Sequence, residues 1–336
     1  MEKRFKNGLI VMKGYPVHNG HLYLIDTASE NCDVLNVILS HNKSQDIPGE
    51  IRYNWLKEIY KNNDNVNIFH FDDGDMPQYD YECETLDEFY GHWVPKVYSI
   101  VSGLDVVFSS ENYGDDFARY LGVEHFLVDK ERITIPTSGT SIRENPFNSW
   151  EYLPDVVKLY FTKRIVVMGP ESVGKSTLTS SLARHFNTNY VEEYGRFVYE
   201  MNGNCIYKDD FIPISQGRQD IEDYEITMSN KLLFCDTEDL TTYIFLKMFC
   251  DDYQEEEKWF LNTLKEKENY DLYILLKPDC EAVQDGTRSF LDEREIHYKI
   301  IRNELINRKC NFIEVGGDWD NRLNESVEYI NKKWML

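Results

Sequence analysis

No stretch of this 336-residue chain approaches the run of about 20 apolar residues that a membrane-spanning helix needs. The first residues, MEKRFKNGLIVMK, lack an apolar core followed by small residues, so they do not read as a secretion signal. Paired cysteines are also missing. The seven cysteines, at 32, 83, 205, 235, 250, 280 and 310, are scattered. They form no CxxC pair and have no histidines at zinc-finger spacing, which argues against a disulfide framework or structural zinc and leaves reduced thiols. Basic charge is scarce: 36 Lys and Arg stand against 59 Asp and Glu, a formal charge of -23. With no local basic face to break that excess, nucleic acid is not expected as a partner. The acidic runs 72–88 and 251–257 lack calcium-loop spacing and read as solvated surface. There is neither an internal repeat nor a low-complexity tract. The expectation is a cytoplasmic globular protein whose phosphorylated ligands are held by backbone N–H groups, helix N-termini and a few placed cations.

Apolar residues make up 42% of the chain, with 23 Tyr and 18 Phe, enough for sizeable cores. They gather in two series of strand-like runs separated by helix-like segments. The first series is 8–13, 33–40, 65–71, 104–110 and 124–129; the second is 164–169, 189–193, 231–236, 271–277 and 311–317. Near-continuous apolar strands at such spacing signal parallel sheets covered on both faces. The fold class is therefore α/β, with two tandem doubly wound domains spanning 1–162 and 163–336. SWEYLPDVVKLYF (149–161) reads as one amphipathic helix running into the second domain without a Gly/Ser/Pro linker.

In the second series, GPESVGKST follows the strand RIVVM and leads into a segment where Leu178, Leu182 and Phe186 recur every four residues. That satisfies GxxxxGK[ST] in its strand–loop–helix context. Gly169 and Gly174 let the loop wrap with its N–H groups inward, so Gly169, Glu171, Ser172, Val173, Gly174, Lys175, Ser176 and Thr177 are the candidate ATP-binding residues. Lys175 would charge-balance the β- and γ-phosphates and the Ser176 hydroxyl would ligate Mg²⁺. Asp236, ending the strand LLFCD, is the matching carboxylate for the metal. At the end of the second strand of this series, Glu192 and Glu193 offer a general base, with Glu193 the candidate, and Tyr194 and Arg196 face an acceptor or form surface contacts. Arg288, in VQDGTRS, would cover the γ-phosphate as charge develops.

The first series carries a different phosphate device. Its opening strand runs into GYPVHNGH, placing His18 and His21 at i, i+3 on a helix start with Gly20 between them, and Leu22, Ile25, Ala28 and Cys32 along one helical face. A helix N-terminus at the edge of a parallel sheet is an anion site, and zinc lacks further ligands nearby. Near the domain's end, PTSGTSIRENP supplies Ser138 and Thr140 at another helix start, with Arg143 able to fork two phosphate oxygens. Pro146 keeps that helix short.

GYPVHNGH with SGTSIR resembles the paired HxGH and [ST]xTxIR signature of the nucleotidyltransferase superfamily. VFSSENYG (107–114), the segment 138–165 and GPESVGKST then follow in the order seen in NadR-type proteins, bifunctional nicotinamide mononucleotide adenylyltransferases and ribosylnicotinamide kinases. The resemblance covers about residues 8 to 330. It implies that His18 and His21 bind ATP phosphates during adenylyl transfer, joined by Gly14, Tyr15, Ser138, Thr140 and Arg143. It also implies that Trp93 stacks on the nicotinamide ring, with core packing as the alternative. Where the family often reads GKFYPVH, this chain reads MKGYPVH. Family members that repress transcription carry an N-terminal helix-turn-helix domain, which the first strand, starting within ten residues of Met1, leaves no room for. Expected ligands are nicotinamide riboside, its mononucleotide (NMN), NAD, and ATP with Mg²⁺; self-association is left open by the sequence. A slow nucleotide sensor and another cofactor's adenylyltransferase–kinase pair stand as alternatives.

Overall fold

A computed structural model describes residues 3–77, 83–266, 270–280 and 293–336. The chain divides into two compact units, Met1–Tyr160 and Phe161–Leu336. Among the described residues no helix is long and apolar enough to cross a membrane.

The first unit contains strands β1 (Phe5–Met12), β2 (Cys32–His41), β3 (Val66–Asp72), β4 (Val106–Ser109) and β5 (Glu124–Leu127). All pair in parallel, in the order β3-β2-β1-β4-β5. Helices α1 (Asn19–Asn31), α2 (Gly49–Ile59), α3 (Leu86–Ile100) and α4 (Tyr113–Leu121) connect them. Leu9, Ile10, Leu35, Val37, Ile38 and Leu39 are fully buried, as strands covered on both faces require. Because β2 and β4 flank β1 on opposite sides, the chain reverses direction across the sheet there, and the crevice opens at the C-terminal ends of β1 and β4.

Three local expectations are corrected. On α1 the buried stripe is Leu24, Ile25, Ala28 and Ser29, not one containing Leu22, and Cys32 opens β2 instead of closing the helix. Residues 149–161 are not one helix: a 3-10 turn (Pro146–Tyr152) gives way to α6 (Asp155–Phe161), after the short α5 (Gly139–Glu144). The break falls at Leu153, extended at φ -93, ψ 133, because Pro154 disfavours helical backbone in the residue before it. The acidic runs are not wholly solvated either. Asp73 is buried, and Glu257 accepts the Tyr243 hydroxyl at 2.7 Å.

The second unit contains β6 (Lys163–Met168), β7 (Tyr190–Val191), β8 (Leu232–Asp236), β9 (Leu272–Leu276) and β10 (Phe312–Val315), parallel in the order β10-β9-β6-β8-β7. Its helices are α7 (Lys175–His185), α8 (Tyr194–Met201), α9 (Phe211–Glu225), α10 (Asp239–Phe249), α11 (Gln254–Glu266), α12 (Arg294–Asn307) and α13 (Trp319–Trp334). Leu178 and Leu182 bury the inner face of α7 against Ile165, Val167 and Phe234, and Phe186 stacks on Phe234 at 5.9 Å. This is the two-domain parallel α/β class read from the strand pattern.

Candidate active sites

In the first unit a cleft of about 1070 Å³ opens above β1 and β4. Its floor is the turn between β1 and α1, with Gly14 at φ +53. His18 is the N-cap of α1. Its Nδ1 accepts the Gly20 N–H at 3.1 Å, while His21 Nδ1 accepts the His18 N–H at 3.3 Å. The pair is a capping box built from two imidazoles, reciprocal in the way that Ser and Glu usually are. The rings lie 3.8 Å apart at 36°. Gly20 is needed here, because a Cβ would stand 2.9 Å from His18 Cε1 and 3.0 Å from its Nδ1.

Capping fixes the protonation pattern. A ring nitrogen that accepts an N–H carries no proton, so each ring is an Nε2–H donor. Burial, followed by the nearby Arg132 charge, lowers His18 to about 4. Burial, then His18, then Arg132 hold His21 well below the ordinary range. Both imidazoles therefore line the cleft as neutral donors.

The far wall of the cleft is the start of α5. Ser138 is its N-cap, and its Oγ accepts the Ser141 N–H at 3.1 Å. Arg143 donates to the Tyr15 carbonyl and, at 3.2 Å, to Thr140 Oγ1, while its guanidinium lies 4.3 Å over the Tyr15 ring. Gly14, Tyr15, His18, His21, Ser138, Thr140 and Arg143 thus share one cleft. Trp93 also lines it. Its ring packs edge-on against Phe71 at 5.7 Å, and its buried Nε1 has no partner among the described residues. Core packing and cleft lining are both true of it.

Two cations here carry no recognisable local signal. Arg52 on α2 is fully buried, donating at 2.6 Å to both the Lys13 carbonyl and Gln45 Oε1 beneath the β1–α1 turn. Arg132 pairs with Glu111 at 2.8 Å. Its loop is fixed by Asp129, which accepts the N–H groups of Ile133 and Thr134 at 3.0 Å. Both cations are placed by contacts with other elements.

In the second unit Gly169–Thr177 wraps between β6 and α7. Ser172 and Gly174 have φ of +58 and +83, the left-handed turns that aim successive N–H groups inward. Lys175 is buried, with Nζ on the Pro170 carbonyl at 3.0 Å. Val173 packs in the core. The loop is braced from α13: Arg322, buried, donates to the carbonyls of Val173, Gly317 and Lys277, and a Cβ on Gly174 would meet the Trp319 ring at 1.8 Å. Neither Trp319 nor Arg322 was singled out from sequence.

Asp236 ends the neighbouring strand β8 with its side chain buried. The Ser176 hydroxyl donates to it, and its Oδ1 has no partner among the described residues. Burial first, then the charge of Glu193, raises its pKa to about 6; Lys175, Ser176 and Arg196 pull the other way. Glu193 thus lies near Asp236, and Arg196 stands 3.7 Å from the Glu193 carboxylate. Glu192 is exposed and takes the Tyr190 hydroxyl at 3.3 Å, so of the two adjacent carboxylates Glu193 is the one turned to the site. Tyr194 packs at 5.6 Å on Phe197 and closes against Gly217. Behind Asp236, Asp239 is fully buried against Arg218 and Gln219 at 3.1 and 3.0 Å, a network that sequence reading missed. Arg288 lies outside the described residues.

The family described as "Citrate lyase ligase C-terminal domain" matches residues 7–137, and that described as "AAA domain" matches residues 164–322. The Trifunctional NAD biosynthesis/regulator protein NadR of Escherichia coli K12 is 31% identical over 350 residues, 97% of this chain and 82% of that protein. Its Salmonella typhimurium LT2 counterpart is 31% identical over 353 residues, 98% of this chain and 84% of the other. Among solved structures, NadR in complex with NR superposes with a TM-score of 0.79 at 22% identity, and NadR in complex with NAD and AMP-PNP with 0.80 at 21%. Each covers 100% of this chain and 98% of its own.

Proposed function

Because the chain belongs to the NadR family, we propose that it makes NAD in two ATP-dependent steps, each assigned to one domain. Domain 163–336 phosphorylates the 5′-hydroxyl of nicotinamide riboside, and domain 1–162 joins the resulting mononucleotide to the adenylyl group of a second ATP, releasing pyrophosphate. The related NadR structures contain NR in one case and NAD with AMP-PNP in another, the ligand classes required here. One observation carries the reading: two neutral Nε2–H donors face one cleft, while a P-loop with a buried carboxylate beside its serine, one oxygen of it unpartnered among the described residues, occupies the other unit.

In adenylyl transfer the mononucleotide phosphate attacks the α-phosphorus in line, and no protein nucleophile is needed. His18 and His21 present Nε2–H groups to the phosphate oxygens as charge moves onto the pyrophosphate. Their tautomers are set in advance, so little is reorganised at the moment of reaction. Arg143 and the N–H groups at the start of α5 hold the β- and γ-phosphates, and Trp93 covers the nicotinamide ring.

In the kinase domain Lys175 neutralises the transferring phosphate, Glu193 takes the acceptor hydroxyl proton, and Tyr194 and Arg196 orient the acceptor. Ser176 and Asp236 are the residues that would hold Mg²⁺. They fit the ion, since the orphaned Asp236 oxygen lies beside a hydroxyl, and Mg²⁺ commonly takes one or two carboxylates and completes its shell with waters and phosphate oxygens. Bound there, it neutralises charge on the β- and γ-phosphates. We assign Arg288 to the γ-phosphate on the family resemblance alone, and place the enzyme in the cytoplasm with small-molecule partners.

The test is to incubate the protein with nicotinamide riboside, ATP and Mg²⁺ and follow mononucleotide and NAD by chromatography. Wild type accumulates NAD, Lys175→Ala makes no mononucleotide, and His18→Ala stalls at mononucleotide. Absence of both products from wild type would overturn the substrate assignment.

A further inference from the structure

At the end of β4, a serine, a histidine and an aspartate stand in a row that neither reaction uses. Ser109 Oγ lies 2.9 Å from His125 Nε2 on β5, and His125 Nδ1 lies 2.7 Å from Asp115 Oδ1 in the first turn of α4. Ser109 also donates to the Glu111 carbonyl at 3.2 Å. The sequence of contacts is that of a nucleophile, base and carboxylate, but the serine is closed to substrate. It is 2% exposed, and a Cβ on Gly114 would stand 2.1 Å from its Oγ and 2.2 Å from His125 Nε2. Gly114 packs so closely on both groups that no side chain fits there, and Ser109 is buried beneath it.

Proton counting shows what the row does. Ionised Asp115 only accepts, so the proton between it and Nδ1 belongs to His125. Ser109 has one hydroxyl proton, which goes either to the Glu111 carbonyl or to Nε2. Through its two ring nitrogens His125 joins Asp115 in the first turn of α4 to Ser109 at the end of β4, and Ser109 reaches on to the Glu111 carbonyl.

Glu111 connects this row to the cleft. Its carboxylate holds Arg132 at 2.8 Å, and Ser110, Glu111, Asn112 and Tyr113 line the cleft wall. We infer that His125 is a positioning residue for adenylyl transfer, clamping the start of α4 to the end of β4 so that Glu111 keeps Arg132 facing His18 and His21. Gly114 is the residue that lets α4 approach closely enough for the clamp to close. The inference rests on the reading of this cleft as the adenylyl-transfer site.

The experiment uses the full chain with His125→Leu, which keeps bulk and removes both ring nitrogens, and Asp115→Asn, whose exposed side chain (87%) can change without disturbing the core. Kinase turnover in the same preparation reports folding. Displacing a cation at the cleft is expected to lower kcat for adenylyl transfer about 10-fold in His125→Leu, with a smaller loss in Asp115→Asn and kinase turnover unchanged. His125→Gln, which keeps one donor, restores part of the loss. A second readout is independent of turnover. Arg132 helps hold His18 low, so the His18 ring titration followed by NMR moves upward in His125→Leu. The inference falls if adenylyl transfer and the His18 titration both match wild type, if both activities drop in parallel, or if a fluorophosphonate labels Ser109. If wild type makes no NAD, the reading of the cleft fails, and the His18 titration still decides the clamp.

Discussion

Gly20→Ala is the smallest change that separates what the histidine pair does for α1 from what it does for chemistry. The added methyl would lie 2.9 Å from His18 Cε1 and 3.0 Å from Nδ1, closer than side chains tolerate, so the ring must swing away. Two stability effects oppose one another. Losing the bond from the Gly20 N–H to Nδ1 costs about 1 kcal/mol of helix capping, and replacing glycine by alanine within the helix returns about 1 kcal/mol. Net stability is near zero, a Tm change of no more than about 3 °C for a domain of this size. Catalysis has no such compensation. One preorganised donor to a developing charge is worth about 2.7–4 kcal/mol, so adenylyl transfer should fall about 100- to 1000-fold. Steady-state NAD formation from NMN and ATP measures the loss, and phosphorylation of nicotinamide riboside by the same sample serves as the control. Adenylyl transfer within threefold of wild type would refute the claim that the capped His18 ring is the donor. A fall in both activities with a lower Tm would show that the change unfolds the protein instead.

Asp236→Asn should reduce kinase turnover at least 100-fold and weaken its Mg²⁺ dependence, while adenylyl transfer stays at the wild-type level. Thermal stability should hold or rise, because one oxygen of the buried carboxylate has no partner among the described residues; parallel assays and a melting curve check both points. Acid should destabilise the fold through its buried imidazoles. His18 and His297 are lowered by burial to about 4, so between the unfolded value near 6.5 and that pH the unfolded chain binds protons that the folded chain does not. The stability they support is complete above about pH 6.5 and is lost as pH falls, by about 3 kcal/mol per histidine at pH 4; urea unfolding across that range measures the slope. His297→Phe removes one of these groups. Neither ring nitrogen of His297 has a partner among the described residues, and the ring packs edge-on against Phe245 at 5.1 Å. Phenylalanine should therefore stabilise the protein by about 1 kcal/mol at neutral pH and flatten the acid slope. An unchanged midpoint and slope in urea would contradict this.

How much of this was legible in the sequence depends on the reach of each contact. The central strands could be read because burial on both sheet faces leaves continuous apolar runs, and the half-buried edge strands β5, β7 and β10 because each still carries a short apolar run. The P-loop could be read because its phosphate contacts come from one short segment. The histidine pair was visible as a spacing; that both Nδ1 atoms turn back to cap their own helix was not, because i, i+3 is equally compatible with outward-facing rings. The break at Pro154 had a local signal in the proline itself, outweighed by the apolar period around it. Arg52, Arg132, Arg322 and Asp239 had none. Each is placed by partners from other elements, and a buried arginine looks the same in sequence as a solvated one. Asp73 went the same way, hidden in an acidic run whose average character is surface.

The bracing of the P-loop by α13 bears on the order in which the protein becomes competent. Residues 169–177 leave the ribosome long before Trp319 and Arg322, so the proposed ATP-binding segment has its turn chemistry early and its supports late. In the first unit the β1–α1 turn likewise waits for α5, but both lie within residues 1–160 and are complete before the second unit is made. During synthesis from the N-terminus, where domains generally fold as units, the adenylyl-transfer cleft can mature while the kinase loop is still unsupported. Phosphorylation of the riboside would then be the last capability the nascent chain acquires.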